Sequence, residues 1–456
     1  MKTTTGITVA LALLAAAPAD ATAQSKSKLK RELRTMEKAA KKDPEKLFEA
    51  ATWASEKELD KDAKRILQKV LKMAPDHAEA NKLAGNVQIE GKWLPKAEAD
   101  KLREAAMEAE YAGKGYKKVD GLWIEPELVE DAKKGIFHHG DEIVTRDEKL
   151  ALMTDKARHP ITGRMIDKKQ LDKAKEGYFQ VAGGKWVDRK EADEFHSSFA
   201  RPWVFRSYKT TIMSTLPLEE IEKIKVHSDD GVETAAPFFG GRELPPALRP
   251  VIMVAATRSE YTELGQSLGD GTDVAGAFLI TEDATFSLNG RVVRPAICEN
   301  EKDWGSRYIR HAAALAYINA IAEESGADLP LWFVHGVGSL TSRFHNDADA
   351  GWFGKQHIAK GGVSDIRSFF NDFELSSDLQ PKQIGFNLYQ AGLLLSYATR
   401  GGNEEATNAM LAVTASLSGE GKGSASKAIS KLEKVLAGCK DGVTEHLKKL
   451  VAKSPQ

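Results

Sequence analysis

The spacing of apolar residues divides the chain into three parts with different local structure. In residues 43–84, apolar positions recur every three or four residues, which predicts amphipathic helices. In residues 85–197, short stretches alternate apolar and polar residues around glycines, which predicts small β-hairpins. In residues 198–456, runs rich in β-branched and aromatic residues precede longer helical segments. Together the patterns predict an α+β protein whose N-terminal half is built from helices and hairpins.

The helical segment begins at a typical capping sequence. Asp43 followed by Pro44 places a side-chain acceptor at the N-cap and a fixed φ at the first helical position. Further on, Ala63, Leu67 and Pro75 keep the spacing typical of the second helix of a tetratricopeptide repeat. A single repeat of this kind leaves one apolar face uncovered. The segment is therefore expected to pack on a neighbouring helix, such as the one that contains Ala78.

A second repeat follows, in which a glycine turn precedes a tryptophan and an acidic, helix-like stretch. Three copies are complete and a fourth lacks its tryptophan; they span 85–100, 115–130, 177–193 and 135–148. The alternation around Gly91, Gly121 and Gly183 is expected to form hairpins. Trp93, Trp123 and Trp186 are expected to cap small cores, because large aromatic side chains mostly bury their area. In the alternative interpretation, the tryptophans are exposed and stack on a polymer.

The C-terminal segment, 198–456, predicts strands first and helices afterwards. The stretches "WVFRSYKTTIM" and "PVIMVAATR" have strand composition, as does 275–298 with its turn at Asn289-Gly290. Helices are predicted over 306–324, from Leu331 or Trp332 onward, and over 384–400, 404–417, 424–437 and 443–452.

The first residues have the pattern of a secretory signal peptide. Lys2 provides a charged start, Ile7 to Pro18 an apolar stretch, and Ala21 and Ala23 the small residues of a cleavage site. Residues 1–23 are therefore predicted to be removed, which places the mature protein outside the cytoplasm, secreted or in the periplasm or cell envelope. The alternative is an uncleaved N-terminal anchor, which the short apolar stretch disfavours.

Composition excludes some partners and names none. The chain has 65 lysines and arginines against 66 aspartates and glutamates, so no overall charge attracts nucleic acid. The basic lead, 24–42, is interpreted as a solvated helical lead-in. No later stretch approaches the ~20 apolar residues needed to span a bilayer, so no transmembrane span is expected after signal removal. Cys298 and Cys439 lack metal or redox spacing and are expected to be free thiols unless the fold brings them together.

Two short motifs have structural explanations. Residues 265–269 match Gly-x-Ser-x-Gly, but a helix-like stretch precedes them, whereas a nucleophile elbow follows a strand. His138 and His139 are adjacent in a predicted strand, where their side chains point to opposite faces and do not converge on a metal ion. Neither motif predicts an active site.

The clearest chemical pattern lies in residues 307–340, where His311 stands in an alanine-rich helix and His335 follows Leu-Trp-Phe-Val. The segment resembles the gluzincin metallopeptidases, in particular the peptidase MA-like group of exported proteins. "HAAAL" stands where that family has His-Glu-x-x-His, and "PLWFVHG" where it has Pro-x-Trp-x-x-Glu-Gly. The resemblance covers about 200–440, including "VAGAFLI" as an edge strand. It implies a gluzincin-like domain with a mixed sheet, a helix pair and C-terminal helices over 198–456.

The same resemblance identifies which functional positions differ. His311 matches the first zinc ligand, whereas Ala312 replaces the general base, Leu315 the second histidine, and His335 the glutamate ligand. Catalytic zinc needs three protein ligands and a bound water. No catalytic residue, zinc site or other cofactor is therefore expected, and His311 and His335 are the only residual metal-ligand candidates.

The sequence thus predicts an exported, catalytically inactive metallopeptidase-like protein that acts as a binding or scaffolding module. A protein or peptide ligand is expected in a residual groove with Trp332, His335 and His311 along its floor. Two alternatives stay open. One is a zinc-dependent peptidase with rearranged ligands, and the other is a polymer-binding structural protein of the cell envelope.

Overall fold

The computed structural model describes residues 19–267, 278–280, 286–288, 291–375, 380–418 and 424–454. Most of the predicted signal peptide, residues 1–18, lies outside the described residues. The chain divides into two compact units, one ending at Lys118 and the other beginning at Val119. The boundary falls within a strand, Lys117–Val119, and not at the changes of sequence pattern near 85 and 198.

Helices dominate the first unit, as the spacing of its apolar residues predicts. The Asp43 carboxylate accepts hydrogen bonds from the amides of Glu45 and Lys46, which confirms the predicted N-cap. The neighbouring helices contribute Leu33 and Ala80 to the core of the helical segment. These helices therefore bury the apolar face that a single repeat would leave exposed. The helices are Ala19–Ala40, Pro44–Glu56, Asp60–Met73, Ala78–Leu83 and Lys96–Gly113; the hairpin pairs Asn86–Ile89 with Lys92–Pro95.

The second unit begins with small hairpins, each followed by a short helix. The degenerate fourth copy, 135–148, also forms a hairpin. A further hairpin, which carries no tryptophan, was not predicted; it pairs Lys156–Arg158 with Met165–Asp167. The other strands are Leu122–Ile124, Phe137–His139, Glu142–Val144, Phe179–Gln180 and Trp186–Val187, and the helices are Val129–Lys133, Arg146–Met153, Leu171–Lys175 and Arg189–Phe195.

The repeat tryptophans are half-buried, so they match neither of the two simple interpretations. Trp123 stands between Leu122 and Ile124, which are buried, and alternation along the strand directs its ring to the opposite face. Val187, not Trp186, is the buried residue of its strand. In these two strands the buried positions are therefore aliphatic, and Trp123 and Trp186 are the partly exposed residues.

A five-stranded mixed sheet forms the centre of the second unit. Its order is Trp203–Arg206, Thr211–Ser214, Val251–Ala255, Ala296–Glu299 and Phe278–Ile280. The two inner pairings are parallel and the two outer pairings antiparallel. The strand Phe278–Ile280 lies at the edge, as predicted. A separate two-stranded hairpin joins Phe286–Leu288 to Arg291–Val293.

Helices cover this sheet and complete the core. Helix Gly305–Ser325 packs between the sheet and helix Leu331–Ser342, which packs in turn on helix Pro381–Arg400. The predicted α+β class is confirmed, and the predicted helices lie within a few residues of their observed bounds. The remaining helices are Leu218–Ala235, Arg258–Ser267, Asp347–Ala359, Ile366–Asn371, Glu404–Leu417, Ala425–Ala437 and Lys440–Lys453. Over the described residues, every helix is too short or too polar to cross a bilayer.

Candidate functional site

The two histidines of the alanine-rich segment meet in the core. His311 lies on helix Gly305–Ser325 and His335 on helix Leu331–Ser342, and His311 Nε2 is 3.3 Å from His335 Nδ1. Gly338 makes this close approach possible, because a Cβ atom there would lie 2.6 Å from His311 Nε2. The side chains are 0% and 5% exposed, so the pair is enclosed by protein.

Enclosure keeps both imidazoles neutral. Burial lowers the pKa of His311 well below its ordinary value, and the positive charges of a protonated His335 and of Arg343 would lower it further. Burial also lowers the pKa of His335, with Arg343 as the second cause. At neutral pH each ring therefore carries one N–H donor and one unprotonated acceptor.

Hydrogen bonds link the pair to the backbone of the second helix. Ser342 Oγ donates to the carbonyl oxygen of Gly338 at 2.9 Å, since a carbonyl only accepts. The same hydroxyl lies 3.1 Å from His311 Nδ1. Since both rings are neutral, a single proton is shared across the contact between His311 Nε2 and His335 Nδ1. The two rings and Ser342 therefore form one hydrogen-bonded chain that ends on the helix backbone.

The positions that resemble zinc-site residues are filled by the core. Ala312 and Leu315 are fully buried on the helix that carries His311. Trp332 is also buried: its ring packs on Phe370 with centroids 4.6 Å apart, and its Nε1 donates to Glu433 Oε1 at 2.7 Å. The three residues predicted to line a groove are thus closed off from solvent, because the helices that carry them pack tightly at Gly336 and Gly338.

The donor set at this position does not fit zinc. The two imidazoles use their facing nitrogens in a hydrogen bond with each other, and Leu315 offers no ligand atom where a third would be needed. The buried guanidinium of Arg343, whose influence reaches both rings, adds positive charge next to any cation. In the part of the chain that the structure describes, no three His, Cys, Asp or Glu side chains are grouped to hold a metal ion.

The other residues singled out in the sequence lie apart from this pair. His138 Nε2 is 3.4 Å from an Asp131 carboxylate oxygen, at the surface of a hairpin. Cys298 and Cys439 are free thiols, and burial raises the pKa of Cys298. The helix-like stretch before residues 265–269 is confirmed as helix Arg258–Ser267, and the last two residues of that motif lie outside the described part.

A cleft of about 710 Å³ in the second unit was not predicted from the sequence. It lies between the hairpin residues 141–163 and the segments that surround strand Thr211–Ser214, and its volume is in the range of small-ligand sites. Five cationic side chains line it: Arg158, Arg206, Lys209, Arg242 and Arg249. No spacing motif links these residues, because they come together only through the tertiary fold.

One carboxylate organises the wall of the cleft. Glu148 Oε1 accepts from Arg158 Nη1 at 3.1 Å and from Arg206 Nη1 at 2.9 Å. Burial would raise the pKa of Glu148, but the charges of Arg206 and Arg158 and the amide of Thr145 outweigh burial and lower it. The hairpin helix Arg146–Met153 is thus joined to the first strand of the sheet by a charged network.

Comparisons of the chain with protein-family models, with curated proteins and with solved structures found no significant match.

Proposed function

We propose that the protein is an exported, non-catalytic relative of the gluzincin peptidases that acts as a binding or scaffolding module. The observation that supports this proposal is the direct contact between His311 and His335 in a dry core. Ring nitrogens that bond to each other, with Ser342 on the far side, serve as a structural link between two helices.

The proposal also draws on what surrounds the pair. A peptidase of this class needs a carboxylate to take a proton from water and an open coordination position for that water. Ala312 supplies no carboxylate, and the packing at Gly338 leaves no space for a water next to His311 Nε2. A binding role needs neither, and the cleft lined by Arg249 offers a cavity for a ligand.

Metal content tests the proposal. After dialysis of the full chain against micromolar zinc and removal of loose metal, we expect far less than one zinc per chain by mass spectrometry, because two hydrogen-bonded imidazoles make a weak site. Casein should remain uncut, with or without chelator.

The control for this experiment is the variant His311→Ala. Stoichiometric zinc in the natural chain that is lost in the variant, together with proteolysis that a chelator stops, would contradict the proposal. That result would favour the zinc-dependent peptidase with rearranged ligands.

A further inference from the structure

Arg249 is held in a fixed position at the cleft. It lies between the turn Pro246–Leu248 and the strand Val251–Ala255. Its Nη1 donates to the carbonyl oxygens of Ser207 at 3.1 Å and Tyr208 at 2.7 Å. The guanidinium is therefore anchored by backbone, so that little side-chain freedom remains to be lost when a ligand binds.

Arg249 differs from the other cations of the cleft in its partners. Arg158 and Arg206 share Glu148, Arg242 pairs with Glu324, and Lys209 lies near Glu243. For Arg249, the described residues offer no carboxylate within ion-pair distance. Burial, followed by the charge of Arg206, lowers its pKa to about 10, and the more distant charges of Glu148 and Asp229 only partly offset this effect.

The unused donors of Arg249 open onto the cleft. A guanidinium has five N–H donors, and the two carbonyl oxygens occupy those of Nη1. In the described residues, Nε and Nη2 of Arg249 have no hydrogen-bond acceptor. The polar atoms that are both buried and without a partner do not include these two nitrogens, so both are exposed. They are thus accessible from the cavity that Arg249 lines. Two parallel donors in a fixed plane match the two oxygens of a carboxylate.

The rest of the lining narrows the class of ligand. Val232, Ala236, Pro237, Leu244 and the ring of Tyr317 give the cavity an apolar side. Asp141, Glu142, Glu233 and Glu243 also line it, and their negative charge disfavours ligands with several negative charges. A ligand with one negative group and an apolar body satisfies both parts of the wall.

We propose that this cleft binds a single carboxylate attached to an apolar body, with Nε and Nη2 of Arg249 as the donors to the carboxylate. A free organic acid or the C terminus of a peptide that ends in an apolar residue would both present this chemistry. The inference rests on the proposed binding role and assigns it a site away from the histidine pair.

Calorimetric titration of the full chain tests the site with three probes: N-acetyl-Ala-Ala-Phe with a free carboxylate, the same peptide as its amide, and 3-phenylpropionate. We expect the peptide acid to bind roughly 10- to 100-fold more tightly than the amide, the range for a hydrogen-bonded charge pair. In the variant Arg249→Gln, the affinity for the peptide acid should fall to that for the amide. Binding of 3-phenylpropionate as well would indicate that a free acid suffices, whereas binding of the peptide acid alone would indicate a C terminus.

Two further variants make the result interpretable. Arg367→Gln removes an exposed arginine on helix Ile366–Asn371 and should bind the acid as the natural chain does. Arg249→Lys keeps the charge but loses the planar pair of donors, so it should retain a reduced preference for acid over amide. Because that preference is measured within one folded protein, it remains informative if Arg249→Gln unfolds.

Three results would each overturn the assignment. The natural chain could bind the peptide acid and the amide with equal affinity, or Arg249→Gln could keep the preference for the acid. The third result is that no probe shows saturable binding at millimolar concentration. A zinc-dependent activity would instead contradict the proposed function, but it would not change the preference for acid over amide. Failure of the proposed function and failure of this site can therefore be distinguished.

Discussion

Gly338 sets how closely the two histidine-bearing helices approach each other. In Gly338→Ala the added methyl group would overlap the His311 ring, whose Nε2 and Cδ2 atoms lie 2.6 and 2.8 Å from the Cβ position. We expect the free energy of unfolding to fall by about 1–3 kcal/mol, as is typical of overpacked cores. Urea unfolding measures this change.

Gly385→Ala is the matched control, because it lies in helix Pro381–Arg400 and an added Cβ meets nothing within 4 Å. There alanine should stabilise the protein by about 0.5–1 kcal/mol through its better helix propensity. If both variants gained stability, the close approach at Gly338 would not be a constraint.

At the scale of single residues, the sequence singled out His311 and His335 but did not predict their surroundings. The two residues lie in contact because their helices and the connecting loop follow the predicted bounds. The burial of Trp332 was not foreseen, because its partners Phe370 and Glu433 lie far along the chain. No sequence pattern around Arg249 predicts a binding role. A single arginine after a proline-rich turn is common, and only the tertiary structure shows which residues surround it.

Among the secondary-structure elements, helix Arg146–Met153 depends on Glu148 in two ways. Its carboxylate completes a capping box with Thr145, and it pairs with Arg158 and Arg206. In Glu148→Gln both guanidiniums lose their shared counter-charge, so we expect a loss of about 2–3 kcal/mol in urea unfolding.

The comparison variant is Glu142→Gln in the preceding strand. Glu142 is 48% exposed and, within the described part of the chain, forms an ion pair only with Arg158, so its loss should cost below about 1 kcal/mol. Equal effects of the two substitutions would mean that the network around Glu148 adds nothing beyond a surface ion pair.

Elements with strong local patterns were predictable, and those that depend on short turns were not. The helix 404–417 agrees with its predicted bounds because Asn403 caps it and its apolar residues keep helical spacing. The hairpin of Lys156–Arg158 and Met165–Asp167 was missed because it lacks the tryptophan that marked three of the other copies, and because a longer connection, 159–164, replaces the tight turn found in most of them. Two- and three-residue strands carry too few alternations to stand out from loops.

For the whole molecule, the histidine pair makes stability depend on pH. Both imidazoles have lowered pKa values in the folded state, and an unfolded histidine has a pKa of about 6.5. Below that pH the unfolded chain takes up protons that the folded chain does not, so the free energy of unfolding falls as the pH falls. At pH 5 the loss should reach about 2 kcal/mol for each of the two residues.

The double variant His311→Leu/His335→Leu should therefore show a shallower decline between pH 6.5 and 5 in urea unfolding. Replacing both members of a hydrogen-bonded pair with apolar groups leaves no partner unsatisfied between them. His357, whose pKa burial lowers to about 4, contributes to the decline in both proteins. His139→Gln, at a hairpin surface, serves as the control, and an unchanged slope in the double variant would contradict the assignment of neutral, buried imidazoles.

The close packing at Gly338 also bears on how readily this helix pair could acquire a metal by mutation. A working site would need a ligand in place of Leu315, a carboxylate in place of Ala312, and room for water next to His311. Introduced one at a time, each polar side chain would lie in a dry core without a partner and would cost several kcal/mol. Proteins with only some of these changes would be less stable than both the present protein and one with a complete metal site. Selection for stability would therefore act against them. Point mutation one step at a time is therefore expected to leave this position as a hydrogen-bonded core.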